Sequence, residues 1–165
     1  MMKVFCASAL LMMSSIASAT ENSHLQNFTN IFDRYCYAFK GDHSSSGVLL
    51  EKDGHNRNPT FQDAYEILIG SIDYAVTPQQ YDCTTDVLVK HKGQLLFTHD
   101  ALNKHLVKAF NLIEVSTSSF EDVALNNQNT LIRQTDYKGP AGNNYRLLFP
   151  LDNQASYYMT FTIDW

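Results

Sequence analysis

The chain has little of what usually announces a chemistry. Its 165 residues include only three cysteines, four prolines and seven glycines. That scarcity of proline and glycine excludes a collagen-like or low-complexity chain. No stretch approaches the about 20 apolar residues that a membrane-spanning helix needs, so no transmembrane segment is expected. There is no basic surplus either: 12 Lys and Arg stand against 17 Asp and Glu, a net charge of −5 at pH 7. An acidic, unclustered balance argues against nucleic acid or an anionic membrane as partner and fits a protein that stays soluble or meets a basic partner.

Catalytic motifs are missing as well. The chain contains neither HExxH nor CxxC, and His91, His99 and His105 show no i,i+3 or i,i+4 pairing, so no metal site is expected. Asp42, His43, Asp53 and His55 share one polar stretch that could gather around a divalent ion; a solvated loop is the simpler reading. His105 reads as a core-edge histidine hydrogen-bonded to a neighbour. Phosphate-cradling glycine patterns are absent. Ser44-Ser45-Ser46-Gly47 lacks the strand and helix that frame a serine nucleophile and reads as linker. Paired carboxylates follow no spacing rule that a sequence exposes, and Glu121-Asp122 and Asp63-Glu66 read as ordinary surface. No catalytic residue, metal ligand or cofactor is assigned.

What is present begins with the amino terminus. Lys3 supplies a positive start, Val4 to Met13 an apolar run, and Ala17-Ser18-Ala19 a small-residue cleavage site. These are the parts of a secretory signal peptide over residues 1–19. Residues 20–165 then form a single domain, periplasmic or secreted, one unit more negative for the loss of Lys3. Cys6 precedes the apolar run and so stands in the wrong place for lipid attachment.

Cys36 and Cys83 remain after cleavage. In an oxidising compartment such a pair is most economically one disulfide. Closing a loop of this length contributes roughly 4 kcal/mol in the chain-entropy model. The alternative is a catalytic thiol at Cys36 with a histidine base. Such thiols sit at a helix N-terminus or beside a cation, whereas the pattern places Cys36 well inside a helix.

That helix is read from Leu25, Phe28, Phe32, Tyr35, Cys36 and Phe39, spaced by threes and fours between a cap at Ser23 and a stop at Gly41, with Arg34 and Tyr37 outward. Residues 41–60 read as a mobile loop. Thr60 is expected to cap a second helix carrying Phe61, Ala64, Tyr65, Leu68 and Ile69 to a stop at Gly70. Residues 71–82 read as an irregular connection, and Lys92-Gly93 as the turn of a hairpin. A third helix starts at Thr98 with Leu102, His105, Leu106, Ala109, Phe110 and Ile113 on one face. Strands follow within 120–127, 129–137, 145–151 and 156–165, and in the last of them Tyr157, Met159, Phe161, Ile163 and Trp165 alternate with polar residues.

The expected fold is α+β: two to three amphipathic helices on one face of an antiparallel sheet of about four to six strands, with one disulfide. The aromatic, alternating last strand also matches the end of an outer-membrane β-barrel strand, but a barrel needs at least about eight such strands, and the first half of the chain is helical in period.

Phe32 and Cys36 on a leading helix, Cys83 before a strand with Val87, and an apolar helix ending at Phe110 resemble a family of small exported bacterial proteins and lipoproteins of unknown function. Asp82 departs from the glycine common there, and the lipid-attachment cysteine is missing. The resemblance implies that Cys36 pairs with Cys83. The function expected is a non-catalytic binding module, such as an immunity or inhibitor protein with a toxin or envelope enzyme as its protein partner. The alternatives are an envelope hydrolase or an outer-membrane-associated structural component.

Overall fold

Alternating burial organises most of the chain. In the computed structural model, residues 8–125, 127–151 and 157–165 are described, with side chains from residue 21 onward. The elements are helix α1 (Ser8–Tyr35), a 3-10 turn (Tyr37–Phe39), α2 (His43–Lys52), strands β1 (Asn56–Arg57), β2 (Tyr65–Ile69), β3 (Ile72–Pro78), β4 (Asp82–Leu88), β5 (Lys90–His91) and β6 (Gln94–Leu95), helix α3 (His99–Phe110), and strands β7 (Ile113–Val123), β8 (Asn129–Lys138), β9 (Asn144–Pro150) and β10 (Tyr158–Asp164). Eight strands form one sheet in the order β1-β2-β3-β4-β10-β9-β8-β7, and β5 and β6 form a separate hairpin. Every pairing is antiparallel. The architecture is α+β, with more strands than expected. The sheet is open, with β1 and β7 at its edges, rather than closed as a barrel would be.

The extra strands come from three misread segments: residues 61–69, residues 71–82, and the end of the expected loop, where Asn56 and Arg57 form β1. Phe61, Ala64, Tyr65, Leu68 and Ile69 have helical spacing, yet residues 65–69 form β2, where Tyr65 and Ile67 are buried and Glu66 and Leu68 exposed. Short apolar runs fit both periods, and sheet pairing settles the conflict. Thr60 therefore caps no helix. The expected irregular connection is β3, joined to β2 by a tight turn in which Gly70 takes φ +65°. Pro78 closes β3 at its end, where a missing donor is tolerated. The β5–β6 hairpin turns on Lys92 (φ 50°) and Gly93 (φ 79°), the left-handed pair that a two-residue turn requires.

The expected mobile loop contains α2. Asp42 caps it, accepting from the Ser45 amide at 3.1 Å, while Ser46 and Leu50 are buried. The serine run is the first turn of this helix and not a linker. Asp42 and Asp53 stand at its opposite ends; Asp53 accepts from Arg34 at 2.7 Å and from the Tyr35 hydroxyl at 2.8 Å, which ties α2 to α1. Asp42, His43, Asp53 and His55 thus do not converge, and among the described residues no group of three potential ligands does. Ser23 lies inside α1, which runs back through residues 8–19. The signal peptide assigned to residues 1–19 lies outside the residues whose side chains are described. No helix among the described residues is long and apolar enough to cross a membrane.

The helices cover one face of the sheet. The Phe32 ring lies 4.5 Å from Phe161, 5.2 Å from Phe110 and 6.4 Å from Tyr145 between centroids. It thereby joins α1, α3, β9 and β10. Met159, Phe161 and Ile163 are fully buried, as the alternation of the last strand predicts. Helix α3 begins at its Thr98 cap, which accepts from the Ala101 amide, and buries Leu102, Leu106 and Phe110. Ile113 and Ala109 leave the expected stripe: Ile113 begins β7 and is 70% exposed. His105 is half-buried, and among the described residues it has no hydrogen-bond partner; burial and Lys108 lower its pKa.

Cys36 and Cys83 form a disulfide, with their Cα atoms 5.4 Å apart. Cys36 lies just beyond α1, not inside it, and precedes the 3-10 turn; Cys83 opens the inward row of β4. Both are fully buried. The bond therefore staples the end of the leading helix to the middle of the sheet.

Candidate active or binding cleft

The uncovered face of the sheet carries the site. On β4, Cys83, Thr85 and Val87 point to the helices, which sends Thr84, Asp86 and Leu88 to the other side. Register then sets Glu66, Ala75, Asp86 and Thr160 in one row across β2, β3, β4 and β10. Two strand spacings separate the Glu66 and Asp86 backbones, about 10 Å. Asp73 stands on the same face as Ala75, two residues earlier on β3.

A cleft of about 560 Å³ lies over this row. One wall is the turn before β2, held rigid by Asn58. Its side-chain oxygen accepts from the Thr60 and Phe61 amides, both at 2.8 Å, and its side-chain amide donates to Glu66 at 2.7 Å. The opposite wall is Leu125 and Tyr158. A smaller depression of about 250 Å³ continues past these two residues to Asp122, whose carboxylate accepts from the Tyr157 hydroxyl at 2.6 Å. Phe61, Leu125 and Tyr158 are 70%, 64% and 42% exposed, so the cleft has apolar lips.

Its charge has one sign. Asp63, Glu66, Asp73 and Asp86 line it, and among the described residues no Lys, Arg or His does. Asp86 is the unusual member. Among the described residues its carboxyl has no hydrogen-bond partner. Its surface stays partly open to the cleft, yet protein surrounds the carboxyl closely enough that burial raises its pKa to about 7. Desolvation disfavours the charged form, and no neighbouring cation offsets it. Near neutral pH this group is divided between a proton donor and a carboxylate without a counter-charge.

Two other places are already satisfied. The hollow between α2 and β2, about 310 Å³, is lined by His43, Glu51, Arg57 and Tyr65, but Glu51 accepts from both Arg57 and Tyr65 at 3.0 Å. Cys36, the alternative nucleophile, is locked in the disulfide. Sequence reasoning passed over Asp86. The usable signal was an aspartate in the middle of TTDVLVK: Asp is depleted in strands, and its period-two neighbours are the residues that leave the core face.

No known protein family, curated protein or solved structure matches this chain.

Proposed function

We propose that this chain is an exported binding module that works by surface complementarity without turnover, and that its cleft captures a cationic group carried on an apolar stem. The observation that carries the reading is Asp86, a desolvated carboxyl that has no partner among the described residues, on the floor of a cavity whose described lining has four acids and no base. A lysine or arginine side chain entering between Phe61 and Tyr158 would supply the missing counter-charge, with the rings available for cation–π contact. A basic toxin or envelope enzyme presenting such a side chain is the partner that suits an immunity or inhibitor role. The amino-terminal leader and the disulfide support export.

The test is calorimetric titration with hexylamine and with hexanol, its neutral counterpart, at pH 8. The amine binds the wild-type protein, and Asp86→Asn weakens it by at least about tenfold, or about 1.4 kcal/mol. Equal binding of amine and alcohol, or no effect of the substitution, sinks the reading.

The near-neutral titration of Asp86 also favours a second reading, an envelope hydrolase that uses it as general acid. Chromogenic glycoside and peptide substrates separate the two. Turnover lost in Asp86→Asn supports the hydrolase, whereas the binding reading has no turnover to lose.

A further inference from the structure

We infer that the free edge of β7 is a docking strand for an extended, basic segment of a partner protein, which adds to the sheet as one more strand. β7 ends the strand order, is 11 residues long, and is exposed at every position. The opposite edge is the two-residue β1. A long edge strand presents a row of unpaired N–H and C=O groups, which proteins ordinarily blunt with lysine, proline or a bulge. β7 has neither lysine nor proline. Its single register shift lies between Glu114 and Ser116, so pairing with β8 runs unbroken from Ser116 to Val123. The middle of the strand, Val115 to Phe120, carries no charge.

Charge selects the occupant. β7 bears Glu114, Glu121 and Asp122 and no cation. A second copy paired antiparallel along the whole strand would set the Glu114 end of each against the Glu121-Asp122 end of the other, and like charges facing across strands are destabilising. A foreign strand that alternates lysine or arginine with apolar residues meets the acids instead and packs on Ile113, Val115 and Phe120, which are 70%, 62% and 38% exposed. Backbone pairing supplies affinity and the flanking acids supply selectivity, the logic of strand addition. This inference stands apart from the cleft over Asp86.

Three capped peptides test it on the full domain: one alternating lysine with valine, one alternating glutamate with valine, and the lysine peptide N-methylated at every second residue. Measured in the Asp86→Asn domain, so that capture of lysine by the cleft does not contribute, the lysine peptide alone binds and slows hydrogen exchange of the amides in 113–123. Adding Glu121→Lys weakens that binding about tenfold. The inference is overturned by equal binding of the N-methylated peptide, by protection confined to other segments, by loss of binding in Asp86→Asn, or by self-association that protects 113–123 without any peptide.

Discussion

Replacing Asp86 by Asn should make the protein more stable, and the gain should depend on pH in a defined way. Asp86 has an ordinary pKa of 3.8 and is raised to about 7 in the folded protein by burial. Below pH 3.8 the carboxyl is protonated in both folded and unfolded chains, and nothing is lost. Between 3.8 and 7 the unfolded chain releases the proton while the folded one keeps it, so stability falls as pH rises. One pH unit is worth about 1.4 kcal/mol for a single group, which gives a loss of roughly 4 kcal/mol above pH 7. That is an upper bound, because the open side of Asp86 lets cleft water solvate the anion. Asn does not titrate. The stability difference between Asp86→Asn and wild type should therefore grow from near zero at pH 3.5 to about 2–4 kcal/mol at pH 8. Urea unfolding followed by far-ultraviolet circular dichroism at half-unit pH steps measures it, and the other carboxylates cancel in the difference. A pH-independent difference, or a variant that loses stability as pH rises, refutes the argument.

Other perturbations test the frame that holds the cleft. The folded oxidised domain should show no titratable thiol in residues 20–165, and Cys36→Ala/Cys83→Ala should lose roughly 4 kcal/mol in urea, as closure of so long a loop implies. Phe32→Ala empties the junction of two helices and two strands and should cost about 3–5 kcal/mol by the same measurement. At Gly139 an added Cβ would lie 2.5 Å from the buried ring of Tyr145, so Gly139→Ala should destabilise by about 1–3 kcal/mol, with the Tyr145 ring resonances shifting in NMR spectra.

Strictly periodic segments were legible in the sequence. The last strand and the third helix carry strong patterns, and the residues they bury, Met159, Phe161, Ile163, Leu102, Leu106 and Phe110, are all among the expected ones, although Ala109 and Ile113 left the helical stripe. The cysteine pair followed from number and from the compartment expected of the amino terminus. Legibility failed where a local pattern fitted two structures. Residues 61–69 satisfy a helical spacing by coincidence, and only the pairing with β3 makes them a strand. The serine run of α2 is polar because one side of the helix faces water; the helix buries only Ser46 and Leu50 fully, with Leu49 partly buried against the core. The cleft was beyond reach for a different reason. Glu66, Asp73 and Asp86 belong to three strands, and their shared face depends on registers set by inward neighbours. The mid-strand aspartate was visible, but its lack of a partner was not, because partners are a property of the folded chain.

The central claim is that Asp86 waits for a positive charge, and its own titration is the direct test. Carboxyl carbon NMR of Asp86 should give a pKa of about 7 in the free protein. Saturation with hexylamine should move it down toward the ordinary carboxylate range, because a bound cation favours the anion. An ordinary value in the free protein, or a value that amine leaves unmoved, would contradict the account.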